Sequence, residues 1–321
     1  MKQQDVQNGL IKALEKKIPK KMDLIERLME ILCMEKGAIY RRLRGEVPFS
    51  FFEVVKIAEE LNIHHNDLFC ADTVQIDRFD LNIIEYTDMS EADYKQWENY
   101  ISMIHSAKND IHSILAESSN VLPMSIYGKF DSLSKFYLFK YQYLFSETKS
   151  RMSFKELVVP ERLQQIHRSY FNESKNFSKS IYIWDYLIFR YLVTDIKFFS
   201  GINLISRDEI QLIKEDLFAL LDYIEKIALN GFFEETEKAV SFYISDVNLD
   251  ADYSYLQLND MSLGLLRSFI LNAVVSVNQT SFRKIKFWIQ SLEKSSTLIT
   301  QSGAVYRADF FDKQRMIISE L

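Results

Sequence analysis

Apolar residues recur at helical spacing along most of the chain, and the first seventy residues show it most clearly. Val6, Leu10, Ile11 and Leu14 share one face of a first helix running from about Val6 to Lys17, and Pro19 follows its end. A second helix is expected from Asp23, capped by its side chain with Glu26 three residues on, and carries Leu24, Ile25, Leu28, Ile31 and Leu32. Cys33 and Met34 then make a tight connection to a third helix, Glu35 to Arg44, which Gly45 closes in the left-handed region. Pro48 bars an early restart. Ser50 and Glu53 form a capping box for a fourth helix, with Phe49 stapled against Val54 and an apolar face of Phe51, Val55, Ala58, Leu61 and Ile63. A last helical turn spans Asn66 to Phe69.

Beyond residue 70 the pattern continues more loosely. Residues 71–89 read as a connector with a strand at Phe79 to Tyr86. Ser90 and Asp93 open a helix through Tyr94, Trp97, Ile101 and Ile104 that runs on toward Leu115, and its spacing suits a partner helix. The stretch Phe130 to Phe145 (FDSLSKFYLFKYQYLF) is dense in aromatics, which suits a core. Helices are expected at Pro160–Lys175, Ser180–Val193, Ser206 to Asn230-Gly231, Leu263–Val275, Phe282–Glu293 and Ala304–Leu321. Around Val240–Val247 and Tyr253–Gln257 a period of two fits better than 3.6, which predicts a β-hairpin turning at Asn248–Asp252.

Composition narrows the function classes. With 8 Gly and 4 Pro in 321 residues, a Gly-rich phosphate loop or a turn-dense sandwich is disfavoured, and helices are favoured. Two cysteines, Cys33 and Cys70, suit a reducing cytoplasm better than a disulfide scaffold. Lys12, Glu15, Lys16 and Lys17 interrupt any signal-peptide core, and the apolar stretch Ile181–Val193 is too short and too charged to span a membrane. Charge is uneven. Residues 1–45 carry 11 Lys+Arg against 6 Asp+Glu, while residues 46–321 carry 28 against 39. That contrast suits a nucleic-acid-binding head on an acidic body, although charge scatter is the bland alternative.

Two short helices joined by a tight turn, with further helices behind, form a helix-turn-helix. Residues 35–44 take the place of the recognition helix: Ile39 and Leu43 face the core, while Lys36, Tyr40, Arg41 and Arg44 face outward and Gly37 permits close backbone approach. The segments Met34 to Gly45 (MEKGAIYRRLRG), Pro48 to Ile63 (PFSFFEVVKIAEELNI) and Asp67 to Phe69 resemble the lambda-repressor/Cro-like (XRE) family of DNA-binding domains over residues 5–70, about a fifth of the chain. The resemblance implies a five-helix module that reads the major groove with Lys36, Gly37, Tyr40, Arg41 and Arg44. Arg42 sits where the family usually buries an apolar residue, which gives it a backbone-contact or packing role. Leu24-Ile25 replace the Ser-Gln pair with which the family often starts its second helix, so contacts there fall to the backbone or to Lys20 and Lys21. The alternative is a helical module that mediates protein contacts without DNA.

Catalytic and metal signals are poor. Neither a dinucleotide-binding nor a Walker loop can be written, and there is no Gly-x-Ser-x-Gly elbow or HExxH. His64-His65 suit a solvated turn, and His105 with His112 a surface face. The pairs Glu59-Glu60 and Glu234-Glu235 suit solvated charges, and Asp185 with Arg190 a buried ion pair or an interface. The expected fold is therefore mainly α: a helix-turn-helix domain over 1–72 and a larger helical dimerisation and sensor domain over 73–321 with a short β-hairpin. The expected function is a cytoplasmic, non-enzymatic, one-component transcriptional regulator without cofactors. Its expected partners are double-stranded DNA, a second copy and a small-molecule or peptide effector, with no membrane.

Overall fold

The computed structural model describes residues 3–61, 63, 79–81, 83–146, 152–259, 261–268 and 270–321. It divides into two units, Met1–Ile76 and Asp77–Leu321.

The first unit contains α1 (Gln3–Lys17), α2 (Lys21–Leu32), α3 (Lys36–Leu43) and α4 (Phe51–Glu60). Their inner faces meet in one core of Leu10, Leu14, Leu24, Ile25, Leu28, Ile31, Ile39, Phe49, Ile57, Ala58, Leu61 and Ile63, with Leu43 and Val54 packed at its margin. Helix α2 starts at Lys21 rather than Asp23, with Lys20 in extended conformation before it and no side-chain cap. Asp23 instead lies in the first turn, where its carboxylate meets the positive end of the helix dipole. The capping box of α4 forms as its sequence requires: Glu53 N donates to Ser50 Oγ (3.3 Å) and Ser50 N to Glu53 Oε2 (2.8 Å). Phe51 departs from its expected place on the inner face. It is 78% exposed and Phe52 83% exposed, because Ile57 and Ala58 set the buried stripe of α4 one step around the helix. The expected turn at Asn66–Phe69 lies outside the described residues.

The second unit corrects the mainly α expectation: it is mixed α/β, built on an eight-stranded sheet in the order β1-β7-β6-β5-β2-β3-β4-β8. The strands are β1 (Asp80–Leu81), β2 (Ile114–Ser119), β3 (Lys179–Asp185), β4 (Ala239–Ser245), β5 (Tyr253–Gln257), β6 (Ser262–Ser268), β7 (Asn272–Ser276) and β8 (Ser296–Leu298). The helices are α5 (Glu91–His105), α6 (Met124–Tyr127), α7 (Asp131–Phe145), α8 (Glu161–Ser174), α9 (Ile188–Gly201), α10 (Arg207–Asn230), α11 (Gln279–Lys294) and α12 (Ala304–Ser319). Strands β2, β3 and β4 run parallel, connected through α6–α8 and α9–α10, and all other pairings are antiparallel.

Helices cover both faces. Tyr182, Trp184, Val240, Phe242 and Ile244 bury against α7, α9, α10 and α12, where the aromatics of Phe130–Phe145 join the core. Ala116, Ile181, Ile183 and Tyr255 bury under Phe282, Ile285 and Ile289 of α11. Gly264 of β6 admits that helix closely: a β-carbon there would fall 2.6 Å from Ile285 Cδ1. A third cluster places Leu115, Leu256, Leu263 and Leu265 under Ile104 of α5.

Strands buried on both faces carry no alternation, and where they lie the expected helices fail. Ser180–Val193 is not one helix but β3 followed by α9, and Leu263–Val275 is the β6–β7 hairpin. The helix opened by Ser90 stops at His105, passes through a short 3-10 turn (Ser106–Asn109), and the chain enters β2. The period-two runs are strands, yet β4 and β5 do not pair with each other, being separated by β2 and β3. The strand expected at Phe79–Tyr86 narrows to Asp80–Leu81.

Candidate functional site

Helix α3 is held by a short turn. Cys33 closes α2 with φ 53° and ψ 46°, the left-handed region, and its backbone N–H donates to Met29 O. Gly45 takes the same region after α3, at φ 76°. Ile39 is fully buried and Leu43 packs beside it, which leaves Lys36, Gly37, Arg41 and Arg44 exposed on the other side. A β-carbon on Gly37 would meet nothing within 4 Å. Tyr40 is half-buried at the core margin, and the Arg44 guanidinium lies 5.9 Å from its ring centre. Arg41 and Arg44 both stand near Glu46, at 3.8 and 3.3 Å, with side chains about two-thirds exposed. Lys20 and Lys21 are exposed at the start of α2.

Arg42 stands apart from this outward set. It is buried to 17% exposure and gives Glu53 a two-pronged ion pair, Nε to Oε2 at 3.2 Å and Nη2 to Oε1 at 2.9 Å. Its packing role follows, since the guanidinium is committed to the carboxylate that also caps α4. Burial pushes that carboxyl up, but the bonds from Arg42 and from Ser50 outweigh it and hold Glu53 below the usual carboxylate range. Gln7 of α1 donates to the carbonyl oxygens of Arg42 (3.1 Å) and Val47 (3.3 Å), fixing the loop after α3 from behind. The charge contrast changes with the structural boundary. Residues 1–76 carry 12 Lys+Arg against 12 Asp+Glu, so the unit is neutral overall, with 11 of its 12 cations but only 6 of its 12 carboxylates in residues 1–45.

In the second unit, a cavity of about 210 Å³ opens beside the carboxyl end of β2, between the antiparallel half of the sheet and the helices α5, α6 and α8. Trp97, Tyr100 and Tyr170 line one wall, with ring centres 5.7–6.0 Å apart. Glu117, Ser118 and Ser119 of β2 line the floor beside Asp252 and Arg267. Asp252 is well matched: Asn120 N donates to it at 2.9 Å and Arg267 Nε lies 3.3 Å away. Glu117 is buried and accepts one hydrogen bond, from Ser125 Oγ at 2.5 Å, while burial pushes its carboxyl up. These residues come from distant parts of the chain and from polar positions with no local motif, so the sequence offered no signal that they meet.

The remaining pairs resolve simply. Asp185 is buried and accepts from Leu187 N (2.8 Å), whereas Arg190 pairs with Glu320 (2.6 Å), so the two do not bridge. His105 meets Glu173 (2.9 Å) at the end of α5, and His112 lies beyond that helix. His64-His65 and Cys70 lie outside the described residues. Glu234 and Glu235 pair separately with Lys226 (2.7 Å) and Lys175 (2.9 Å). Among the described residues no three His, Cys, Asp or Glu side chains could hold a metal ion, and no helix is long and apolar enough to cross a membrane. Comparison with protein-family models, with curated proteins and with solved structures gives no match to the chain.

Proposed function

We propose that the chain is a sequence-specific DNA-binding transcriptional regulator that reads the major groove with α3. One observation carries the reading: a short helix, fixed from behind by Ile39, Leu43 and the Arg42–Glu53 pair, presents Lys36, Arg41 and Arg44 outward beside a glycine. Arg41 and Arg44 have the bidentate geometry to pair with guanine edges, and Lys20, Lys21 and Lys36 supply phosphate contacts. On DNA, the guanine edges would compete with Glu46 for both arginines. One such module buries only about 600–1,000 Å² on DNA, so useful specificity calls for two copies with half-sites about 34–36 Å apart. Apart from Phe51 and Phe52, the apolar faces of α1–α4 are used within their own core, which supports a dimer contact through the 77–321 unit.

Salt tests it. Three phosphate-contacting lysines per copy give a log–log salt slope of about −2.7 per copy and a loss of roughly 40-fold in affinity between 50 and 200 mM salt. Affinity for random and selected duplexes that stays flat over that range overturns the proposal. A second reading, an interaction module without DNA, draws on the exposed pair Phe51 and Phe52, whose ring centres lie 6.0 Å apart. It predicts salt-insensitive capture of a protein that Phe51→Ser abolishes.

A further inference from the structure

The charges and hydroxyls around the cavity at the carboxyl end of β2 are not balanced from within the protein. When ionised, Glu117 and Asp252 outnumber Arg267, and Asp252 already holds Arg267 and the Asn120 N–H. Glu117 is thereby left with a hydroxyl as its partner in a low-dielectric site, where a carboxylate is costly unless a cation joins it. Burial raises its proton affinity, which is how such a group waits without a counter-charge. Beside it, two residues along β2 and so on the same face of the sheet, Ser119 is almost fully buried, lines the cavity, and has a hydroxyl with no hydrogen-bond partner. Buried hydroxyls left unpaired at a cavity wall mark positions a bound molecule would satisfy.

The facing wall supplies the other half of a recognition surface. Trp97, Tyr100 and Tyr170 form a cluster of ring faces and edges, and the Trp97 Nε1–H is anchored on Tyr86 Oη at 3.0 Å. Aromatic faces attract cations, and more strongly once water is excluded. A cavity of about 210 Å³ with an apolar lining and a few convergent polar groups suits a small molecule. The cavity opens at the carboxyl end of β2, beside the boundary between the parallel and antiparallel strands.

We infer that this cavity binds a small organic amine: a positively charged nitrogen against Glu117 and the Trp97–Tyr100–Tyr170 wall, with an apolar body along Leu256 and Leu265. Ser119 bonds a polar group of the ligand. The site stands independently of DNA binding, since every residue in it belongs to the second unit.

The test uses the full chain and near-isosteric probes: 2-phenylethylamine and tryptamine against 2-phenylethanol and phenylacetate. Calorimetric titration and thermal melts should show saturable binding and a raised melting temperature with the amines, at least tenfold weaker with the alcohol and the acid. Glu117→Gln, which keeps a partner for Ser125, should weaken amine binding by about tenfold or more while its unliganded melting temperature stays near that of the native chain. Trp97→Leu keeps the carboxylate and should weaken the amines several-fold without favouring the acid. Three results overturn the inference: phenylacetate binding as well as the amine, neither amine binding at millimolar concentration, or a folded Glu117→Gln chain binding amines unchanged.

Discussion

Removing Glu53 should unsettle the first unit far more than a surface carboxylate would. Its side chain is 13% exposed and its Arg42 partner 17%, so solvent screens the pair weakly, and two charge-assisted bonds at 2.9 and 3.2 Å join them. Breaking such a pair costs about 2 kcal/mol, and loss of the reciprocal cap on Ser50 N adds about 1 kcal/mol. Glu53→Ala should therefore cost about 3 kcal/mol, a large part of the roughly 4–11 kcal/mol available to a unit of this size. In a 1–76 fragment followed by circular dichroism, that is a fall of about 12–24 °C in melting temperature. The double variant Arg42→Leu/Glu53→Gln separates the causes. Leucine buries readily where Arg42 sits, and glutamine still serves a capping box, so the double variant should melt within a few degrees of the native fragment. Should Glu53→Ala and the double variant lose equal stability, the ion pair is not what holds α3 to α4. Acid offers a parallel check. The folded carboxyl lies below its unfolded value, so its contribution is complete above about pH 4.5 and is lost as pH falls through the folded value.

Cys33→Gly should stabilise the first unit by about 1 kcal/mol, since glycine adopts the left-handed turn without the β-carbon penalty, and a lower urea midpoint would refute that. His167 is buried at 1% exposure with neither ring nitrogen bonded, and burial lowers its pKa from 6.5 to about 4. The unfolded chain thus binds the extra proton between those values, so the second unit should lose stability as pH falls from 6.5 to 4, by about 3 kcal/mol in all. His167→Leu should flatten that dependence in urea titrations, and an unchanged slope would exclude His167 as its source. Arg41→Ala should cost about 1–3 kcal/mol of binding and relax preference at one or two base pairs, whereas Lys20→Ala should weaken all duplexes alike; equal sequence-blind losses count against base reading. A fragment of 77–321 should sediment as a dimer at tens of micromolar and 1–76 as a monomer; a monomeric 77–321 removes the argument for dimerisation through that unit.

Local grammar was legible wherever a few neighbouring residues decide the outcome. Ser50-x-x-Glu53, Ser90-x-x-Asp93 and Ser206-x-x-Glu209 each form the capping box their spacing requires, and Gly231 closes α10 in the left-handed region. The outward set on α3 was readable except for Tyr40, expected to face outward but half-buried against the core, because Ile39 and Leu43 fix which side faces in. The sheet was not. Segments such as SIYIW in β3 are apolar on both faces, since Tyr182 and Trp184 enter one core and Ile181 and Ile183 the other, and a continuous apolar run does not distinguish a strand from a buried helix. Pairing was hidden more deeply. Nothing near Leu115 announces Leu256 as its neighbour, and without that register Glu117, Asp252 and Arg267 could not be brought to one cavity.

The strand order also bears on how the chain is made. The helices of the first unit touch partners close in sequence, so that unit can collapse as soon as it leaves the ribosome. The sheet cannot follow at the same pace. Strand β2 must wait for β5, with Leu115 opposite Leu256, and the edge strand β1 must wait for β7, with Leu81 opposite Val274. Until then the open flank of β2 is an unpaired edge, a surface that invites association with other nascent chains. A ribosome stalled late in the message would therefore release a finished N-terminal unit attached to an incomplete sheet. The two halves would differ in their dependence on chaperones, and the amount of intact protein in a cell would be governed by the slow, long-range closure of the second half.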